Sequence, residues 1–156
     1  MRRWLLRSVP VIVPSTVLHA IARKEWRLRE NQLLHLVNGV DLQRFSMRAE
    51  EPANLVVGTV GGLRPEKDHE NLLRAMVGLP ATVTLCLVGS GKLEPQLRKL
   101  VVELSLSDRV VFAGQTDDTA ASYRGFSLFV LSSRTEQMPI AMLEAMATGL
   151  PVVATD

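Results

Sequence analysis

Leu55-Val56-Val57-Gly58-Thr59-Val60-Gly61-Gly62-Leu63-Arg64-Pro65-Glu66-Lys67 is the stretch whose reading decides the fold. Its first six residues are mostly branched and apolar at neighbouring positions as well as alternate ones, which suits a strand buried on both faces. The run ends in two glycines. Residues 68–77 then place Leu72, Leu73, Met76 and Val77 at helical spacing, which predicts a helix. The same unit of strand, glycine turn and helix recurs downstream. Thr82 to Val88 predicts a second strand, ending at Gly89-Ser90-Gly91. Glu94 to Leu104 predicts a helix, with Leu97, Leu100, Val101 and Leu104 on one side. Val110 to Ala113 predicts a third strand, ending at Gly114, and a short helix follows over Asp117 to Tyr123. Leu128 to Leu131 predicts a fourth strand, Pro139 to Thr148 a helix closed by Gly149, and Val152 to Ala154 a fifth strand.

Strands apolar on both faces, each followed by a helix, imply an α/β domain: a parallel sheet covered on both sides, with right-handed crossovers. The expected fold is a Rossmann-like, doubly wound parallel sheet. Ligands of such sheets bind outside the carboxyl ends of the strands. Each glycine-rich or polar cluster just named falls at such an end.

Residues 1–48 stand outside this rhythm. Val11-Ile12-Val13 predicts a short strand running into Pro14-Ser15, followed by a helix over Thr16 to Arg29. Leu34 to Val37 predicts another strand, ending at Asn38-Gly39-Val40-Asp41. Residues 46–54 are polar, contain Pro52, and read as a linker. Two strands and one helix are too little to bury a core alone. Residues 1–48 are therefore expected to be the tail of a preceding domain with its hinge. Residues 49–156 are expected to be the Rossmann-like domain, incomplete at its C-terminus.

Composition narrows the function. A hydrophobic content of 47% fits a packed core, and an aromatic content of 4% argues against the exposed rings of single-strand nucleic-acid platforms. No nucleic-acid partner is expected. The single cysteine, Cys86, lies in an apolar run and reads as a buried, inert thiol, consistent with a cytoplasmic setting. No stretch of 18 apolar residues exists, and Arg7, Pro10 and Pro14 interrupt any signal-peptide core. Charge is uneven: residues 1–50 hold nine Lys/Arg against four Asp/Glu, and residues 51–156 hold nine against twelve. The basic leading part suits a peripheral contact with the inner face of a membrane or nearness to a phosphate-bearing substrate; a solvated helix face is the plain alternative.

Two places carry candidate chemistry. At the last helix, Pro139 suits the first turn, whose free N–H groups form an anion site. Glu136 lies in the loop before that helix and Glu144 on it, and either carboxylate can accept hydrogen bonds from paired hydroxyls. At the first glycine turn, Gly61 allows close backbone approach, and Arg64 and Lys67 can clamp a diphosphate. Solvated side chains on an ordinary turn remain the alternative at both places. The turn is not a Walker A loop. Gly89-Ser90-Gly91 is not a dinucleotide fingerprint either, because Glu94 occupies the last glycine position, so a nicotinamide cofactor is not expected.

Residues 135–156, from Thr135-Glu136 through Glu144 to Thr155-Asp156, resemble the E-x7-E signature of family 4 (group 1) glycosyltransferases of the GT-B fold. Gly61 to Lys67 is similar to that family's G-R-L-x-P-E-K turn, Asn38 to Asp41 to its N-G-V-D, and Gly89 to Gly91 to its G-x-G. The resemblance covers about residues 11 to 156. It implies a retaining transferase whose C-terminal domain binds a nucleotide-diphosphate sugar for transfer to a glycan or lipid-linked acceptor. Glu144 would then hold the ribose hydroxyls and Glu136 those of the transferred sugar. Lys67, with Arg64, would neutralise the leaving diphosphate. The amides near Ile140 and Ala141 would cradle the distal phosphate, and backbone around Gly89, Gly114 and Gln115 would face the rest of the nucleotide. No metal or other cofactor is expected. His19, His35 and His69 are scattered and read as non-catalytic. The family usually has Arg where this chain has Gly62, and often Gly where it has Gln137. Because the acceptor domain and the end of the donor domain fall outside these residues, the chain alone is expected to bind donor weakly and not to turn over. A non-catalytic nucleotide-binding module and a related GT-B phosphorylase or epimerase are the competing readings.

Overall fold

The computed structural model describes residues 5–6, 8–49 and 52–155. Most of the basic start of the chain, residues 1–4 and 7, lies outside the described residues, as do parts of the 46–54 linker and the final Asp156. The chain forms two compact units, one of residues up to 39 with 136–140, the other of residues 40–135 with 141–156.

The smaller unit is a single β–α–β turn. Strands β1 (Val11–Val13) and β2 (Leu33–His35) pair in parallel, Val11 opposite Leu33, with helix α1 (Thr16–Lys24) between them in sequence. Ser15 caps α1 by accepting a hydrogen bond from the Leu18 amide at 3.1 Å. Val13, Ala22, Leu28 and Leu33 form its buried cluster. The helix stops at Lys24, short of the expected Arg29. Arg27 takes a left-handed φ of 54°, and the chain folds back so that Leu28 joins the cluster. Strand β2 accordingly begins one residue early and ends at His35 rather than Val37.

The larger unit is the doubly wound sheet. Its strands are β3 (Val56–Val60), β4 (Thr84–Val88), β5 (Val110–Gly114), β6 (Leu128–Leu131) and β7 (Val152–Ala154). They lie in the order β5-β4-β3-β6-β7, and every pairing is parallel. The helices are α2 (His69–Val77), α3 (Glu94–Glu103), α4 (Thr119–Arg124) and α5 (Ile140–Ala147). Alternation along the strands divides the core between two faces. Val57, Leu85 and Leu87 pack with Leu72, Leu73 and Met76 of α2 and with Leu97 and Val101 of α3. Val56, Val60 and Val88 pack on the other face with Ala120 and Tyr123 of α4 and Ala145 of α5.

Winding proceeds from β3 outward to β5, then the chain returns to β6 on the other side of β3. The strand order therefore reverses between β3 and β6, and the carboxyl ends there open a crevice of the kind that binds ligands in such sheets. Residues 40–49, ahead of the first strand of the sheet, also belong to this unit. Phe45 is buried in its core, and the Arg48 guanidinium donates to the Phe126 carbonyl oxygen. Cys86 is half-buried, and burial pushes its thiol pKa up.

Gly58, at the centre of β3, is held to glycine by packing: a Cβ there would overlap the Phe126 ring. Gly58→Ala is expected to cost about 1–3 kcal/mol of stability through overpacking. Gly39→Ala, where a Cβ meets nothing within 4 Å, is expected to be near neutral. Urea denaturation of both variants checks this.

Candidate functional site

The turn after β3 is built by hydrogen bonds to its neighbours. The Gly61 amide donates to the Val88 carbonyl at 2.9 Å, the Leu63 amide to Ser90 O at 3.0 Å, and the Leu93 amide to Leu63 O at 3.2 Å. The loops after β3 and β4 are thus in backbone contact. Gly89 sits at φ +134°, where a Cβ would overlap the Gly61 carbonyl oxygen, and a Cβ on Gly91 would overlap that of Leu63. Leu63 itself is buried in the core.

Beyond Leu63 the chain makes one 3-10 turn, Pro65–Lys67, closed by Asp68 at φ 45°. Both cations lie against the glycine pair, Arg64 from just before this turn and Lys67 from its end. The Arg64 Nε lies 3.1 Å from where a Gly62 Cβ would stand, and the Lys67 Cε lies 3.8 Å from the corresponding Gly61 position. Arg64 also pairs with Glu66 at 3.1 Å on the surface.

The far side of the crevice holds this turn in place. Ser132, just past β6, donates its hydroxyl to Lys67 O at 2.8 Å, and the Arg134 amide donates to Glu66 O at 2.9 Å. The Arg134 guanidinium grips both Asp68 oxygens at 2.8 and 3.2 Å, which holds the Asp68 carboxyl below its usual pKa. Neither Ser132 nor Arg134 stood out in the sequence, since no local signal links them to a turn 65 or 66 residues away.

The loops after β4 and β5 also meet. The Gly89 amide donates to Gly114 O at 2.7 Å, and the Ser90 hydroxyl donates to Gln115 Oε1 at 3.3 Å. Gly61, Gly62, Gly89, Ser90, Gln115 and Thr116 line a cleft of about 210 Å³ over the ends of β3, β4 and β5. Val60, Val88 and Thr119 complete its lining, which is mostly apolar.

Glu144 is the one charged residue of α5, whose other positions are apolar. It is half-buried, and its Oε2 accepts a hydrogen bond from the Tyr123 hydroxyl at 2.8 Å. Ala141 lies in the first turn of the same helix. Glu136 and Ile140 belong to the smaller unit. There the Asn38 amide donates to Met138 O at 2.9 Å and ties the 136–140 segment to the Asn38-Gly39 stretch. The structure thus groups Gly61, Arg64 and Lys67, and places Gly89 and Gln115 on the lining of one cleft. Among the described residues no three His, Cys, Asp or Glu side chains gather as a metal site, and no helix is long and apolar enough to cross a membrane.

A family profile described as "Glycosyl transferases group 1" matches residues 54–156. The lipopolysaccharide core biosynthesis mannosyltransferase LpsB of Rhizobium meliloti is 31% identical over 139 residues, covering 78% of this chain and 40% of that protein. The core biosynthesis glycosyltransferase LpsE of the same organism is 37% identical over 119 residues, covering 76% and 34%. The crystal structure of HepE from Anabaena in complex with UDP and glucose superposes with a TM-score of 0.84 at 25% identity, over 97% of this chain and 48% of that one. The chain spans less than half the length of each of these relatives.

His69 opens α2 directly after Asp68. It is buried, and its Nδ1 has no hydrogen-bond partner. Burial, aided by the nearby Lys67 charge and opposed by Asp68, lowers its pKa from 6.5 to about 4. As pH falls, the unfolded chain therefore takes up this proton first. The stability that depends on a neutral His69 is complete above pH 6.5, drains away as pH falls toward about 4, and changes no further below that. The loss is expected to reach about 3 kcal/mol. His69→Leu should flatten that part of the profile, as read by urea denaturation between pH 7 and pH 4.

Proposed function

The chain belongs to the group 1 glycosyl transferases, and on that premise we propose that it binds a nucleotide-diphosphate sugar at the carboxyl end of its sheet, for retaining transfer to a glycan or lipid-linked acceptor. The observation that carries this reading is the pair of cations, Arg64 and Lys67, folded back over Gly61-Gly62 at the end of the central strand. A diphosphate seated there meets two positive charges on a turn already fixed by Ser132 and Arg134. Charge grows on the diphosphate as the sugar leaves, and a preorganised Lys67 stabilises that state more than the ground state.

The remaining roles follow the same logic. Glu144 accepts hydrogen bonds from the ribose hydroxyls, and Glu136 from hydroxyls of the transferred sugar. The first-turn amides at Ile140 and Ala141 face the distal phosphate. Gly89 and Gln115, on the wall of the cleft, meet the nucleoside end. Lys67, Arg64 and the amides carry the diphosphate charge without a metal ion. The basic excess of residues 1–50 supports work at the cytoplasmic face of a membrane, where a lipid-linked acceptor would be met. LpsB and LpsE, both named for lipopolysaccharide core biosynthesis, support an acceptor of that kind.

Calorimetric titration with UDP, GDP and ADP tests the reading. One nucleotide is expected to bind, with no change when EDTA is added. Glu144→Ala and Lys67→Ala should each weaken it by about 10- to 100-fold, the loss of one or two charge-assisted hydrogen bonds. Binding that neither substitution weakens would refute the assignment.

A further inference from the structure

Tyr123 is the only tyrosine of the chain, and it is fully buried. It lies on α4, a six-residue helix capped by the Asp118 carboxylate, which accepts from the Ala121 amide at 3.1 Å. Phe45, Phe126 and Phe129 surround its ring with centroids 5.9, 6.0 and 5.7 Å away. Three of the four phenylalanines in an aromatic-poor chain are thus spent on fixing one ring. Phenylalanine would pack there equally well, so the hydroxyl calls for its own explanation.

That hydroxyl lies 2.8 Å from Glu144 Oε2 and 3.0 Å from Ala141 O. It has one hydrogen, and the carboxylate is the stronger acceptor of the two. Burial, together with the Glu144 charge, pushes the phenol pKa far up, so the group stays a donor across the working range. Among the described residues Glu144 Oε1 accepts no hydrogen bond. One carboxylate oxygen is therefore held by the hydroxyl of a fully buried ring, and the other is left for an incoming donor.

We propose that Tyr123 is a positioning residue, holding Glu144 Oε2 so that Oε1 is presented to the ribose diol of the nucleotide. The proposal rests on the reading that Glu144 takes the ribose. A hydroxyl that merely satisfied a buried position would stabilise the fold without distinguishing one ligand from another. A positioning hydroxyl acts only on the part of the ligand that touches Glu144.

The test compares whichever of UDP, GDP and ADP binds most tightly with its 2′,3′-dideoxy form, on the unaltered chain and on Tyr123→Phe. The unaltered chain should prefer the hydroxylated nucleotide. Tyr123→Phe should lose roughly tenfold of that preference while binding the dideoxy form as before. Equal weakening of both nucleotides, or an undiminished preference, would overturn the role of Tyr123 while leaving Glu144 on the ribose. If the unaltered chain shows no preference, or binds none of the three, the ribose assignment fails and this proposal with it. Should Tyr123→Phe not fold, the lone tyrosine provides a second readout. Replacing it by 3-fluorotyrosine gives a single fluorine resonance, which should shift with the hydroxylated nucleotide and not with the dideoxy form. The same response to both would overturn the proposal.

Discussion

Two loops that follow neighbouring strands press together so closely that no side chain fits between them. The loop after β4 can lie on the loop after β3 only because Gly89 and Gly91 present bare backbone to the carbonyls of Gly61 and Leu63. That contact is sealed by amide-to-carbonyl bonds from Gly61 to Val88 and from Leu63 to Ser90. Much of the candidate site follows from it. With Leu63 anchored in the core, the glycines before it and the cations after it are left at the carboxyl edge of the sheet. The tight turn through Pro65–Lys67 then returns Lys67 to Gly61, while Arg64, just before the turn, lies against Gly62. Preorganisation of this kind lets a charged site act on a developing charge without reorganising first.

The opposite face of the sheet supports a second part of the site by different means. Its core is aromatic where the α2–α3 face is aliphatic, and the aromatics gather beneath the only carboxylate of α5. A helix apolar at nearly every position is positioned by burial, while its one polar side chain is aimed by a hydrogen bond from below. The packing that stabilises this face and the geometry of the site are therefore carried by the same residues.

The strand–glycine–helix rhythm from residue 55 onward was legible because each strand is apolar on both faces and each helix shows its period. Strand β6, β7 and the helix starts fall close to where the pattern put them. The misreadings lie where tertiary packing overrides local pattern. Helix α1 ends at Lys24 because burying Leu28 requires a left-handed Arg27, which no propensity signals. Phe45 stands in a stretch that read as the tail of another domain, yet it contacts Tyr123, 78 positions on in the chain. The candidate site divides in the same way. Gly61, Arg64 and Lys67 lie within one turn, so their grouping could be read from spacing alone. The Asp68–Arg134 and Tyr123–Glu144 pairs join separate units of the winding, and charge or polarity at one partner says nothing about the other.

In the proposed reading a nucleoside diphosphate sits at the carboxyl end of the sheet, across the ends of β3 and β4 and against α5. Amide chemical-shift mapping of the chain with UDP, GDP and ADP reads out that position. The binding nucleotide is expected to shift Gly61, Gly62, Leu63, Gly89 and Gln115 together with Ala141 and Glu144, and to leave the amino-end residues Val83, Arg109 and Ser127 unmoved. Shifts concentrated at those amino-end residues, or confined to the α2–α3 face around Arg74 and Glu103, would contradict it.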